Sequence, residues 1–176
     1  MVCGLVSVAM LCAHGGAWLM LRTDAALHRR AAKATQIMSV VYLVCFIAAG
    51  AWLYFGNIEG YTLVQPFDTN GVANPLAKEV VTNANHGWLN NYSQYPITMV
   101  APIVGILGGL IALFASSKNK AGLSFLGSAL AIVGTILTAG FALFPFLMPS
   151  SISPVSSLTM WDACLLYTSD AADEED

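Results

Sequence analysis

Charged residues are scarce in this chain. Lysine, arginine, aspartate and glutamate make up 10% of its 176 residues, whereas hydrophobic residues make up 57%. A soluble domain usually carries about 25% charged residues, so this balance indicates a membrane protein. Half of the acidic residues lie in the last seven positions, and the basic residues of the remaining chain form no footprint for nucleic acid.

Paired cysteines and catalytic motifs are also lacking. The four cysteines are far apart and no CxxC occurs, which argues against a zinc site or a disulfide framework. The chain has no phosphate-binding glycine loop, no HExxH and no GxSxG. Because no basic segment precedes the first apolar run, we expect no cleaved signal peptide.

Four apolar segments are long enough to cross a bilayer, which takes about 20 residues each. They run approximately over residues 2–21, 35–55, 97–116 and 123–147. Hydrocarbon offers no hydrogen-bond partner to the backbone, so these segments are predicted to be helices. The sequence therefore predicts an all-α, polytopic membrane protein with four transmembrane helices.

The basic residues predict how these helices are oriented. Six of the seven lie in the two short connections, residues 22–34 and 117–122, and the long connection 56–96 contains only Lys78. By the positive-inside rule, both short loops are predicted to be cytoplasmic. The long loop and both chain ends are then predicted to lie outside.

A short amphipathic helix is predicted within the long loop, in the segment "NPLAKEVVTNANHGWL". Asn74 suits an N-cap and Pro75 the first helical position. Apolar side chains then recur every four residues, at Leu76, Val80, Ala84 and Trp88. This spacing favours a helix that lies on the outer membrane surface or against a partner.

Small and polar residues form stripes on three of the four predicted spans. Such stripes let helices approach closely and form hydrogen bonds across their interface, and the third span contains a GxxxG. The residues that we predict at helix-packing or subunit contacts are His14, Gly15, Gly16, Trp18, Gly105, Gly109, Ser128, Thr135 and Thr138.

His14 raises a separate question, because it lies roughly 12 Å inside the first span at about 1.5 Å per residue. A polar residue at that depth is a candidate haem or metal ligand, proton carrier or packed side chain. Haem with two axial histidines needs a second histidine at depth, whereas His28 and His86 lie in loops, and no span contains a carboxylate. We therefore favour packing, with Gly15 and Gly16 permitting close approach.

The last segment, "CLLYTSDAADEED" at residues 164–176, does not continue these patterns. It has no helical apolar face, and its charge density exceeds that of any other segment. We interpret it as non-native sequence, similar to read-through of a sequencing adapter, with a disordered acidic tail as the alternative. The membrane domain is therefore predicted to comprise residues 1–163.

Four segments carry a resemblance to a known family: "GLVSVAMLCAHGGAWLMLRTDAALHRRA", "NPLAKEVV", "TAGFALFPFLMPSS" and "SLTMWDA". In this order they resemble subunit II of the cytochrome bd-type ubiquinol oxidases, over residues 4–163. That subunit has a further N-terminal half and further membrane helices after the SLTxWDA segment. The resemblance thus implies an internal to C-terminal fragment, inactive alone, that begins at an internal methionine.

The resemblance also implies a function. The family's complex oxidises quinol and reduces oxygen to water in the bacterial cytoplasmic membrane. Its haem b and haem d groups are carried by the larger subunit I, and subunit II is a generally haem-free partner needed for assembly. His14 matches a position where the family accepts other polar residues, so no catalytic, cofactor-binding or metal residue is implied in this chain.

The implied partners are subunit I in a heterodimer, membrane lipid and, as an optional third component, a small accessory subunit. Two rivals come from other classes of protein. Half of a small-molecule transporter should show broken helices or a polar midplane site. A structural membrane scaffold would explain the lack of chemistry, but not the ordered set of motifs.

Overall fold

The computed structural model describes residues 2–56, 58–64, 79–83, 87–150 and 152–160. Its α-helices, in chain order, are α1 (Val2–Arg22), α2 (Ala25–Phe55), α3 (Asn90–Gln94), α4 (Val100–Ser117) and α5 (Ala121–Leu143). Short 3-10 helices cover Gly87–Leu89, Pro96–Met99 and Pro154–Ser156. Four helices in this described part are long and apolar enough to span a membrane, which confirms the predicted all-α polytopic class.

The connection between α1 and α2 consists of Thr23 and Asp24 alone. The predicted loop over residues 22–34 is therefore wrong for residues 25–34, which form the first turns of α2. Alanine, leucine, arginine and lysine dominate this segment and are strong helix formers, but its charge excludes it from a search for apolar runs. His28 closes the hairpin by donating from Nδ1 to the Met20 carbonyl at 2.9 Å.

The chain forms two compact units, one of them Met1–Gly56 with Asn91–Ala142 and the other Asn57–Asn90 with Leu143–Asp176. The first contains the four long helices. Its core is a cluster of buried side chains from α1, α2 and α5: Val6, Ala9, Met10, Tyr42, Leu43 and Ala131. A second cluster joins the ends of α1 and α2, where Met20 packs with Ala31 and Ala32.

The second unit contains four short strands. β1 (Gly60–Leu63) pairs antiparallel with β2 (Val80–Asn83), and β3 (Phe146–Met148) pairs antiparallel with β4 (Leu158–Thr159). The ring of Tyr61 packs edge-on against Trp88 at 5.5 Å and against Phe146 at 6.2 Å. The Tyr61 hydroxyl donates to the Ser150 carbonyl at 2.8 Å, so aromatic packing and hydrogen bonds hold this unit together.

The predicted amphipathic helix of the long loop is wrong at residues 80–83, which form β2. Residues 74–78 and 84–86 of that prediction lie outside the described residues. A spacing of four is also a multiple of the strand period of two, so it places side chains on one face of a strand as well. The β-branched Val80, Val81 and Thr82 favour the strand.

The last long helix ends earlier than its apolar run. α5 stops at Leu143, not at the predicted residue 147, because Pro145 cannot continue the hydrogen-bond ladder of a helix. The Phe144–Pro145 peptide bond is cis, and β3 begins directly after it.

Candidate functional site: a polar centre in the helical unit

The side chain of His14 projects from α1 towards α5. Its Nδ1 lies 2.9 Å from the Ser128 hydroxyl, and its ring centre lies 4.7 Å from that of Phe125. The Ser128 hydroxyl already donates to the Phe125 carbonyl at 2.8 Å. Because that hydroxyl has only one hydrogen, His14 Nδ1 is the donor in the contact between α1 and α5.

A second polar side chain, Tyr42, lies on α2 and is 1% exposed. Its hydroxyl lies 2.8 Å from Thr135 Oγ1 on α5 and 3.2 Å from the Gly105 carbonyl on α4. Thr135 in turn donates to the Ala131 carbonyl at 2.8 Å, so its oxygen accepts from Tyr42. One phenol thus connects three helices. We call His14, Ser39, Tyr42, Ser128 and Thr135 the polar centre.

Glycines bring α4 and α5 into backbone contact beside the polar centre. A Cβ added at Gly134 would lie 2.5 Å from the Gly105 Cα, and one added at Gly127 would lie 2.6 Å from the Ala112 nitrogen. A Cβ added at Gly109 would instead lie 2.8 Å from the Tyr42 ring. The GxxxG of α4 therefore faces both α5 and the aromatic side chain of α2.

The two glycines that follow His14 have different surroundings. A Cβ at Gly16 would collide with the Thr35 hydroxyl of α2, which donates to the Ala31 carbonyl at 2.9 Å. A Cβ at Gly15 would meet nothing within 4 Å. Close approach between α1 and α2 thus uses Gly16, whereas Gly15 is exposed.

Trp18 lies one turn beyond His14 on α1. Its ring centre is 5.5 Å from that of Phe125, and the Arg22 guanidinium carbon lies 5.0 Å from the Trp18 ring centre. A cation over the face of an indole is attracted by the ring quadrupole. The polar centre is thus followed, towards the end of α1, by a tilted pair of aromatic rings and then by a positive charge.

Thr138 lies on α5 beyond Thr135, and its hydroxyl donates to the Gly134 carbonyl at 2.6 Å. The Thr138 carbonyl accepts a hydrogen bond of 2.7 Å from the Tyr92 hydroxyl. Burial raises the pKa of Tyr92 above its usual value. This contact attaches α3 to α5.

A comparison with known families identifies the chain's relatives. The family model described as cytochrome bd terminal oxidase subunit II matches residues 1–168. The chain belongs to the cytochrome bd terminal oxidase subunit II family. This finding confirms the resemblance that the ordered sequence motifs carry.

Two curated members of the family illustrate the similarity. The probable cytochrome oxidase subunit 2 of Haemophilus influenzae is 38% identical over 163 residues. The cytochrome bd-I ubiquinol oxidase subunit 2 of Escherichia coli K12 is 41% identical over 163 residues. Each alignment covers 93% of this chain and 42% of the relative, so the chain spans less than half the length of either protein.

Within this member of the subunit II family, eight of the nine predicted contact residues touch other helical segments or their own helix backbone. These are His14, Gly16, Trp18, Gly105, Gly109, Ser128, Thr135 and Thr138. Their part in assembly of a complex stays a prediction. Sequence reasoning missed Ser39 and Tyr42 on α2, and it missed Gly134. Gly127 and Gly134, seven residues apart on the small-residue face of α5, were a signal for the close α4–α5 contact.

The polar centre does not fit a haem. The cavity beside it has a volume of about 10 Å³, and the His14 ring is fixed by Ser128 and Phe125. His28, the other described histidine, is bonded to the Met20 carbonyl near the end of α1. No group of three or more histidine, cysteine or acidic side chains suited to a metal occurs among the described residues.

Proposed function

We propose that this chain is part of subunit II of a cytochrome bd-type quinol oxidase. It supports quinol oxidation coupled to reduction of oxygen to water by assembling with and stabilising the haem-bearing subunit I. Family membership over residues 1–168 is the observation that carries this proposal. The Escherichia coli relative, at 41% identity, is named as subunit 2 of a ubiquinol oxidase.

The interior of the helical unit supports a non-catalytic role for the chain itself. His14, Tyr42 and Thr135 all have hydrogen-bond partners on the chain's own helices. The described helices contain no carboxylate inside their apolar spans, and such a residue is the usual mark of a proton or ion path. We assign the haem and quinol sites of the complex to subunit I, and we expect no oxidase activity from the chain alone.

The outer face of α1 supports the contact with subunit I. Small and aliphatic residues recur there at spacings of three and four, and all are exposed: Gly4, Val8, Leu11 and Gly15. A Cβ at Gly4 or Gly15 would meet nothing within 4 Å. Exposed glycines on an apolar helix face allow a helix of another subunit to approach closely. We assign this surface, the α1 outer face, to subunit I.

Co-purification tests the proposal. Subunit II carrying an affinity tag would be produced with its neighbouring genes and isolated from membranes in mild detergent. We expect a larger membrane protein to co-purify together with haem, visible in the reduced-minus-oxidised absorption spectrum, and the preparation should oxidise quinol with oxygen uptake. Isolation of the tagged protein without haem and without a larger partner would contradict the proposal.

A further inference from the structure

Ser39 is a buried polar residue whose hydrogen bonding is incomplete. It lies on α2, one turn before Tyr42, and is 1% exposed. Its hydroxyl has no hydrogen-bond partner among the described residues. A buried hydroxyl without a partner destabilises a fold, because the group has lost its hydrogen bonds to water and gained none.

Ser39 borders a small cavity lined by residues of α1, α2, α4 and α5. The cavity measures about 10 Å³, which is close to the roughly 10–15 Å³ that one water molecule requires. Its polar lining comes from Ser39, Tyr42 and Ser128, and Met10, Ala13 and Ala112 contribute to its apolar lining. A buried water also needs two to four polar partners, and this lining offers three.

We propose that this cavity binds one water molecule, held by the hydroxyl groups of Ser39, Ser128 and Tyr42. The hydrogen of Ser128 is directed to the Phe125 carbonyl, and that of Tyr42 to its partners on α4 and α5. Only Ser39 has a free hydrogen to donate. The water therefore accepts from Ser39 and donates its own two hydrogens to the oxygens of Ser128 and Tyr42.

This water completes the polar centre. It joins the His14–Ser128 pair to the Tyr42–Thr135 pair, so hydrogen bonds run without a break from α1 through α5 and α2. Every donor hydrogen in this set then has an acceptor. The role is structural, since no ionisable carboxylate borders the cavity. The site depends only on residues inside this chain and holds whether or not the proposed partner is correct.

A high-resolution cryo-EM map of the purified complex tests the site directly. We expect a density peak within about 3 Å of both the Ser39 and Ser128 hydroxyl oxygens. The same peak should be lost from the map of Ser39→Ala. The proposal would be overturned by an empty cavity in which the Ser39 hydroxyl rotates to donate to the carbonyl four residues earlier, at Thr35.

A double-mutant cycle tests the site by stability. Ser39→Ala and Ser128→Ala should each lower the Tm of subunit II, by about 2–4 °C for each kcal/mol lost. Because either change removes the shared water, the double variant should lose less than the sum of the two shifts. An unchanged or raised Tm in Ser39→Ala would overturn the proposal, since removing an unpaired hydroxyl relieves a cost.

A matched pair of changes controls for general effects on the helices. Thr138 lies on α5 like Ser128 and its hydroxyl likewise donates to its own helix, but it does not border the cavity. Shifts of Ser39→Ala and Thr138→Val should therefore add. Equal non-additivity in this pair would show that the Ser39–Ser128 coupling is not specific to the cavity.

Discussion

Two pairs of polar side chains connect neighbouring long helices. Tyr42 and Thr135 meet at 2.8 Å, and His14 and Ser128 meet at 2.9 Å. In hydrocarbon such bonds contribute about 0.6 kcal/mol on average and up to about 1.7, which is modest for each pair. Their larger effect is on specificity, because rotation of one helix would expose several polar groups to lipid at once.

Tyr42→Phe removes one oxygen from the polar centre. We expect a loss of about 1–2 kcal/mol in the free energy of unfolding, because the Thr135 oxygen and the water site both lose a partner. Thermal unfolding of the purified protein measures the effect. Tyr95→Phe is the matched control, since Tyr95 is 64% exposed and the change should leave the Tm unaltered. Equal shifts in the two variants would count against a polar role for Tyr42.

Substitutions of His14 distinguish a packing role of this side chain from a role as a haem ligand. Glutamine can still donate to Ser128, so His14→Gln should retain the haem spectrum and most of the stability of the complex. His14→Leu cannot donate, and we expect it to destabilise the protein by about 1 kcal/mol without changing the haem spectrum. Loss of a haem band in His14→Gln would contradict the packing role and indicate a ligand.

At the scale of elements, small residues decide which helices lie together. Backbone contact between α4 and α5 depends on Gly108 and Gly134, where an added Cβ would meet backbone atoms of the other helix. Backbone atoms cannot rotate away, whereas the Tyr42 ring opposite Gly109 has some freedom to move. The cost of a methyl group should therefore depend on what it meets.

Alanine substitutions of glycines on α4 and α5 test whether the cost in stability depends on the atoms that the added methyl group meets. Gly134→Ala should cost about 1–3 kcal/mol, because the added methyl would lie 2.5 Å from the Gly105 Cα. Gly109→Ala should cost less, and Gly105→Ala least, since its nearest neighbour is the Tyr42 hydroxyl at 3.3 Å. Gly140→Ala, with nothing within 4 Å, should be neutral or slightly stabilising. Equal Tm values across the series would contradict close α4–α5 packing.

Apolar length predicted the existence of the four long helices, but not all of their ends. α1 covers Val2–Arg22, close to the predicted span 2–21. The agreement is close because the apolar run ends directly before Arg22, the last residue of the helix. The start of α2 was misplaced by ten residues, since helix propensity extends it through charged residues outside the predicted span. β2 was missed because its pairing with β1, far away in sequence, overrides a local four-residue spacing.

The polar centre was predictable only in part, for a physical reason. His14, Ser128 and Thr135 stand out as polar residues at depth in apolar runs. Tyr42 does not, since tyrosine is amphipathic and its aromatic body suits an apolar helix. Which residues meet depends on the rotation of each helix about its axis. That rotation follows from glycine contacts between distant segments and cannot be read from one helix alone.

For the whole molecule, the α1 outer face is the surface that we assign to subunit I, and a bulky side chain there tests the assignment. Gly15→Leu should leave subunit II folded, because an added Cβ would meet no atom of another described segment within 4 Å. It should lower the yield of co-purified haem and of the larger partner, since a helix of subunit I could no longer approach closely. Gly140→Leu is the control, equally open in this chain but on α5. Equal yields from the two variants would exclude this face as the contact.

The distribution of charge over the whole chain predicts its sidedness, and accessible cysteines can test it. Both labelling variants are made in a chain whose native cysteines have been replaced. Lys120→Cys places a thiol on the basic connection between α4 and α5. Ile152→Cys places a thiol in the second unit, at a position that is 96% exposed. A membrane-impermeant maleimide should label Ile152→Cys in spheroplasts, but Lys120→Cys only after the membrane is broken. The positive-inside rule requires this order, because basic connections are retained in the cytoplasm. Labelling of Lys120→Cys in intact spheroplasts would invert the orientation and place the charged end of α1, with Arg22 over Trp18, on the outer side of the membrane.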